Sequence, residues 1–91
     1  MTREQRTAEV IAKTFDTKIT ELENTIAFRQ HSAESDKKWI EKMATPETID
    51  LLINDLVQHE TEVKIFEAML KEVKFLRAEE MMKAIEGSAT I

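Results

Sequence analysis

Proline and glycine each occur only once in this chain of 91 residues, and their scarcity restricts the folds open to it. Folds rich in β-strands reverse direction often and need turn residues at each reversal. Cysteine is absent, which excludes a disulfide scaffold and any thiolate metal site. With 42% hydrophobic and 34% charged residues, the composition is typical of a folded chain that does not span a membrane. The sequence therefore predicts one all-α domain, residues 1–91.

The single proline marks the start of a helix. Thr45 is a suitable N-cap, Pro46 suits the first helical position, and Glu47 has the favourable charge for a helix N-terminus. Gly87 can end the same helix as a left-handed residue. The sequence thus predicts a first helix over about 3–43, a turn at 44–46, a second helix over about 46–86 and a short tail, 87–91.

Apolar residues repeat every seven positions in both halves, as in a coiled coil. In the first half, the a positions are Ala12, Ile19, Ile26, Ala33 and Ile40, and the d positions are Ala8, Phe15, Leu22, Arg29, Asp36 and Met43. In the second half they are Ile49, Leu56, Val63 and Leu70 at a, and Leu52, His59, Phe66 and Val73 at d. This repeat predicts an antiparallel, coiled-coil-like hairpin of two helices, with Phe15 near Val73.

Two segments depart from the repeat. Past Val73 it would put Arg77 and Glu80 inside, so we expect the apolar stripe to shift to Leu76, Met81 and Ile85. The middle of the first helix, residues 29–38, is polar and contains two serines that could cap a new helix. Glycine and proline are absent there, so we expect one continuous or kinked helix.

Large apolar residues also lie outside the predicted seam. Two helices bury one seam each, and small chains of this kind usually add oligomerisation. The candidate interaction face consists of Phe28, Trp39, Ile65, Met69, Phe75 and Met82. We expect these residues to drive dimerisation of the hairpin into a four-helix bundle. The alternative is a docking face for a different protein.

The formal charge of −5 arises in the second half, where residues 45–91 carry ten acidic and five basic side chains. The acidic stretch consists of Glu47, Asp50, Asp55, Glu60 and Glu62, with no basic residue among them. It could mimic nucleic acid or meet a basic partner. We expect instead that Lys37, Lys38 and Lys42 neutralise much of it across the hairpin. The charge argues against direct nucleic-acid binding.

Three polar residues, Arg29, Asp36 and His59, fall at seam positions in the middle of the hairpin. We expect this layer to set register or oligomeric state; the alternative is an anion or substrate site. Asp55 and His59 are four residues apart, a spacing that permits metal ligation but is common by chance. We therefore expect no metal site, no cofactor and no catalytic residue.

The sequence contains no apolar run long enough for a secretory signal or a membrane span, and we expect a cytoplasmic protein. The function predicted is that of a non-catalytic protein–protein interaction module, namely a small adaptor, a chaperone-like escort or an inhibitor. Its expected partners are a second copy and another protein, with no membrane. The first alternative is an acidic decoy or inhibitor, of the kind that phages and mobile elements encode, that occupies a nucleic-acid-binding site on a host protein. The second is a small helical enzyme or metal protein.

Overall fold

The computed structural model describes residues 2–42 and 45–89. It consists of helix α1, Arg3–Lys42, and helix α2, Pro46–Ala89, with no strand in those ranges. The helices form a rod of 69 × 18 × 13 Å. Asp16 of α1 bonds Arg77 of α2, and Arg29, further along α1, pairs with Glu62, which is earlier in α2, so the two helices are antiparallel. The predicted all-α hairpin is confirmed. Met43 and Ala44, where the predicted first helix ends and the turn begins, lie outside the described residues.

Threonines satisfy backbone groups at the start of both helices. At α1, the Gln5 amide donates to Thr2 Oγ1 at 3.2 Å, and the Thr2 amide donates to Gln5 Oε1 at 2.8 Å. This reciprocal pair is a capping box. At α2, the Thr45 amide donates to the Thr48 hydroxyl at 3.0 Å, and Pro46 occupies the first helical position, where no amide hydrogen is needed.

Helix α1 continues without a break through its polar middle. Ser32 does not cap a new helix, because its hydroxyl donates to the carbonyl oxygen of Phe28 at 3.1 Å within the same helix. Serine side chains in a helix interior often bond to the preceding turn in this way. The serines are therefore compatible with continuous helix, as the absence of glycine and proline predicts.

The seam follows the predicted repeat along most of its length. Leu22, Ile26 and Ala33 are its buried residues, each with less than a tenth of its surface exposed, and the other described a and d residues through Val73 are half-buried. Phe15 and Val73 line the same groove between the helices, in agreement with the predicted register. The core is thus a single seam of side chains, and its most buried part lies in the middle of α1.

The predicted shift of the stripe beyond Val73 is wrong for Leu76 and Ile85. Arg77, Glu80 and Ala84 keep the seven-residue frame and are half-buried, whereas Leu76 and Ile85 are exposed; of the three predicted residues, only Met81 is half-buried. The frame continues because Arg77 can lie along the seam with its aliphatic stem and place its guanidinium beside Asp16. A charged residue at a seam position therefore does not end the seam.

Helix α2 also runs past its predicted end. It continues through Gly87 to Ala89, so the glycine does not terminate it. Glycine permits a left-handed cap but does not impose one, and in a helix it costs only about 0.8–1.0 kcal/mol relative to alanine. Within the described residues, neither helix has a stretch apolar enough to cross a bilayer.

Candidate functional site

Nearly half of the large apolar side chains of the described chain are exposed. Only three residues are buried, and no polar or charged residue is buried as a whole. By contrast, twelve large apolar residues are exposed, among them Phe28 at 64% and Trp39 at 51%. A large apolar side chain left in water forgoes about 1.5–3 kcal/mol of burial free energy. The hairpin surface is therefore the first candidate for a functional site.

Half of these exposed residues lie on one broad side of the hairpin. Arg29 and Asp36 of α1 approach Glu62 and Asp55 of α2, which shows that the g positions of both helices flank the same side of the seam. The exposed apolar residues at the g and c positions of this side form what we call the aromatic face: Phe28, Trp39, Leu51, Ile65, Met69 and Leu76. Both helices contribute to it, so its geometry depends on the hairpin.

The opposite side of the hairpin is rich in charge. A groove of about 300 Å³ lies there between the helices, beside the small residue Ala33. Its rim carries six polar or charged side chains, namely Gln30, Glu34, Lys37, Glu60, Lys64 and Glu67. Ile53, Val57 and Ile85 are the exposed apolar residues on this side, and none is aromatic. The two broad sides of the hairpin therefore differ in chemistry.

The six residues predicted as one interaction face are all exposed, but the structure separates them. Phe28, Trp39, Ile65 and Met69 belong to the aromatic face. Phe75 and Met82 occupy f positions of α2 and point away from α1, so they form an outer ridge. Ile65 is a c position of the same repeat, so it lies on the flank of the hairpin, whereas the f positions lie at its back.

The acidic stretch is not neutralised as expected. Lys37 pairs with Glu34 of its own helix, with Nζ 3.4 Å from Oε1. Among the described residues, Glu47, Asp50 and Glu60 have no basic side chain within 4.0 Å, and neither Lys38 nor Lys42 forms an ion pair. Pairing within one turn competes with pairing across the hairpin, because neighbouring side chains on one helix are already close.

Arg29 of the polar seam layer pairs with Glu62 of the acidic stretch. The Nε of Arg29 lies 2.8 Å from Oε2 of Glu62, but its N–H is not directed at that oxygen, and both atoms are buried without a hydrogen-bond partner. The guanidinium carbon also lies 5.8 Å from the centroid of the Phe28 ring, within the range of a cation–π contact. The ion pair thus borders the aromatic face.

His59 and Asp36, the other two residues of the layer, lie together across the seam. His59 Nε2 is 3.9 Å from Asp36 Oδ2, and their side chains are 18% and 16% exposed. Asp36 Oδ2 and His59 Nδ1 are buried without a hydrogen-bond partner. An unsatisfied buried polar atom costs about 1–3 kcal/mol. The polar layer therefore contains groups whose bonding capacity the hairpin itself does not use.

Asp55 completes a group of three potential metal ligands with Asp36 and His59. One ligand atom from each residue lies within 4.8 Å of the other two. The spacing of Asp55 and His59 was visible in the sequence, but sequence reasoning missed the contribution of Asp36. Asp36 and His59 both occupy d positions in the middle of the hairpin. Once the register of the two helices is known, these positions predict that the two side chains lie close together.

Comparison of the chain with family models, with curated proteins and with solved structures found no match.

Proposed function

We propose that this protein is a non-catalytic helical interaction module, in which a second copy covers the aromatic face and the outer ridge contacts another protein. The observation that carries the proposal is the number of large apolar side chains that the hairpin leaves exposed, which is twelve, as many as it half-buries. Aromatic residues and methionine are enriched at protein interfaces. An adaptor, escort or inhibitor would bind its partner through such surfaces and would catalyse no reaction.

Surface area supports a second copy as the occupant of the aromatic face. A globular protein of 10.5 kDa exposes about 5,400 Å² by the relation of surface to mass, whereas the hairpin exposes 7039 Å². The excess of roughly 1,600 Å² is similar to what one chain contributes to a stable homodimer. Packing two hairpins through their aromatic faces gives a four-helix bundle and covers residues of both helices.

Light scattering tests the dimer. We expect a mass of twice the 10.5 kDa chain over a range of concentrations, and a single-chain mass for Trp39→Glu and Ile65→Glu, because a charge would be buried at the interface. Val57→Glu, on the charged side, is the control and should remain dimeric. Circular dichroism verifies that each variant is helical. A single-chain mass for the natural protein, or equal dissociation by Val57→Glu, would contradict this arrangement.

The outer ridge is tested by photo-crosslinking. A photoreactive side chain at position 75 should give an adduct with a different protein in the cells that make this one, whereas position 20, exposed on α1, should not. Phe75→Glu should abolish copurification of that protein while the dimer mass is retained. Adducts of equal yield from both positions would argue against the outer ridge as a docking site.

A second candidate function, the acidic decoy, is favoured by the unpaired acids of the α2 N-terminal half. Glu47, Asp50 and Glu60 lack basic neighbours within 4.0 Å in the described structure, so their charge is available to a basic partner. Under this hypothesis, neutralising them as Gln or Asn should abolish binding of the crosslinked protein, and added salt should weaken it steeply. Phe75→Glu should then have little effect.

A further inference from the structure

We propose that Asp36, Asp55 and His59 bind one divalent transition-metal ion of the zinc class, which links α1 to α2. The proposal does not rest on the proposed function, because all three ligands come from one chain, although Asp55 lies on the side of the hairpin that carries the aromatic face. Imidazole nitrogen together with carboxylate oxygen is a donor set that suits zinc and neighbouring first-row ions. The two helices contribute one and two ligands, so the site exists only in the folded hairpin.

The spacing of the three side chains matches a shared ion. Ligand atoms bonded to one zinc ion at about 2.0–2.2 Å lie about 3–4 Å from one another. His59 Nε2 and Asp36 Oδ2 are 3.9 Å apart, and all three ligand atoms lie within 4.8 Å of each other. Asp55 and His59 are one helical turn apart, which directs both side chains to the same side of α2. Only small side-chain rotations are needed for coordination.

An unpartnered oxygen distinguishes this group from an ordinary cluster of charges. Asp36 Oδ2 is buried and accepts no hydrogen bond, and its distance of 3.9 Å from His59 Nε2 is too long for one. Apart from His59, no basic side chain of the described chain lies within 4.0 Å of Asp36 or Asp55. A divalent cation would satisfy the oxygen and balance both carboxylates.

The site is also accessible. Asp55 is exposed while Asp36 and His59 are half-buried, so an ion can reach the ligand atoms of the single hairpin from solvent. Three protein ligands leave coordination positions for water, as in zinc sites that are not closed by four side chains. Because the ligands come from both helices, bound metal would stabilise the hairpin by favouring the folded state.

Calorimetric titration of zinc sulfate into chelator-treated protein tests the proposal. We expect one ion per chain, and at least about tenfold weaker binding for His59→Gln, Asp36→Asn and Asp55→Asn. His31→Gln removes an exposed histidine outside the group, and Asp50→Asn removes a nearby exposed acid of α2; both controls should bind as the natural protein does. An excess of magnesium should not displace the zinc, because magnesium prefers oxygen ligands.

Thermal unfolding gives an independent readout. Zinc should raise the Tm of the natural protein and of the two controls, but not that of the three ligand variants. Should a seam variant lose helix by circular dichroism, Asp55→Asn decides alone, because Asp55 is exposed. Absence of saturable binding, or equal weakening by His31→Gln, would overturn the proposal.

Discussion

The Nε of Arg77 donates a hydrogen bond of 2.9 Å to Oδ1 of Asp16, between residues 61 positions apart in the chain. This bond joins the C-terminal part of α2 to the N-terminal part of α1. It also explains how a charged residue occupies a seam position beyond Val73. The bond reports the relative register of the helices in the half of the hairpin that contains the N-terminus of α1.

We expect the Asp16–Arg77 bond to contribute little to stability, because the Asp16 side chain is 60% exposed. A double-mutant cycle with Asp16→Asn and Arg77→Gln should give a coupling of about 0.2–1 kcal/mol, and high salt should reduce it. The matched cycle with Glu9→Gln and Arg77→Gln should show no coupling. The measurement is denaturant unfolding followed by circular dichroism.

Leu22 is the most buried residue of the described core, at 4% exposure. Leu22→Ala should lower the free energy of unfolding by about 2–5 kcal/mol, because it removes apolar contacts and leaves a cavity. Ile85→Ala, at a residue 61% exposed, should change it by less than about 0.5 kcal/mol. Urea titration of both variants checks the prediction, which equal losses would refute.

The capping box at the start of α1 should protect the first turn. Thr2→Ala removes the hydroxyl that accepts from the Gln5 amide, and such changes cost about 0.5–2 kcal/mol. We expect faster amide hydrogen exchange in residues 3–6 of this variant. Thr17→Ala is the control, because the Thr17 hydroxyl donates to the Lys13 carbonyl inside the helix and caps nothing.

Near the end of α2, the hydrogen bond and negative charge of Glu80, together with the charge of Glu79, raise the pKa of Lys83 above its ordinary value of 10.5. The resulting stabilisation is present below pH 10.5 and is lost as the pH rises through the folded-state value. An NMR titration of Glu80→Gln should show the Lys83 pKa closer to 10.5, with a smaller change for Glu79→Gln. An unchanged Lys83 pKa in Glu80→Gln would contradict the assignment.

Local signals in the sequence account for most of the fold. The proline at position 46 marks the start of α2, and the repeat through Leu22 and Ile26 marks the buried seam. The absence of glycine and proline between residues 29 and 38 predicts that α1 is continuous. These features depend only on nearby residues and on helical periodicity, so each helix can be predicted from its own sequence without the other.

The candidate sites required the tertiary structure, because they depend on how the two helices are rotated and paired. Packing kept Arg77 in the seam, where the sequence predicted that the apolar stripe would move away from it. It brought Asp36 within reach of Asp55 and His59, although these residues belong to different helices. The sequence by itself determined two amphipathic helices and the residue at which α2 begins. Only the packing of one against the other decided which side chains meet, because distances across the seam depend on the register and crossing of both helices.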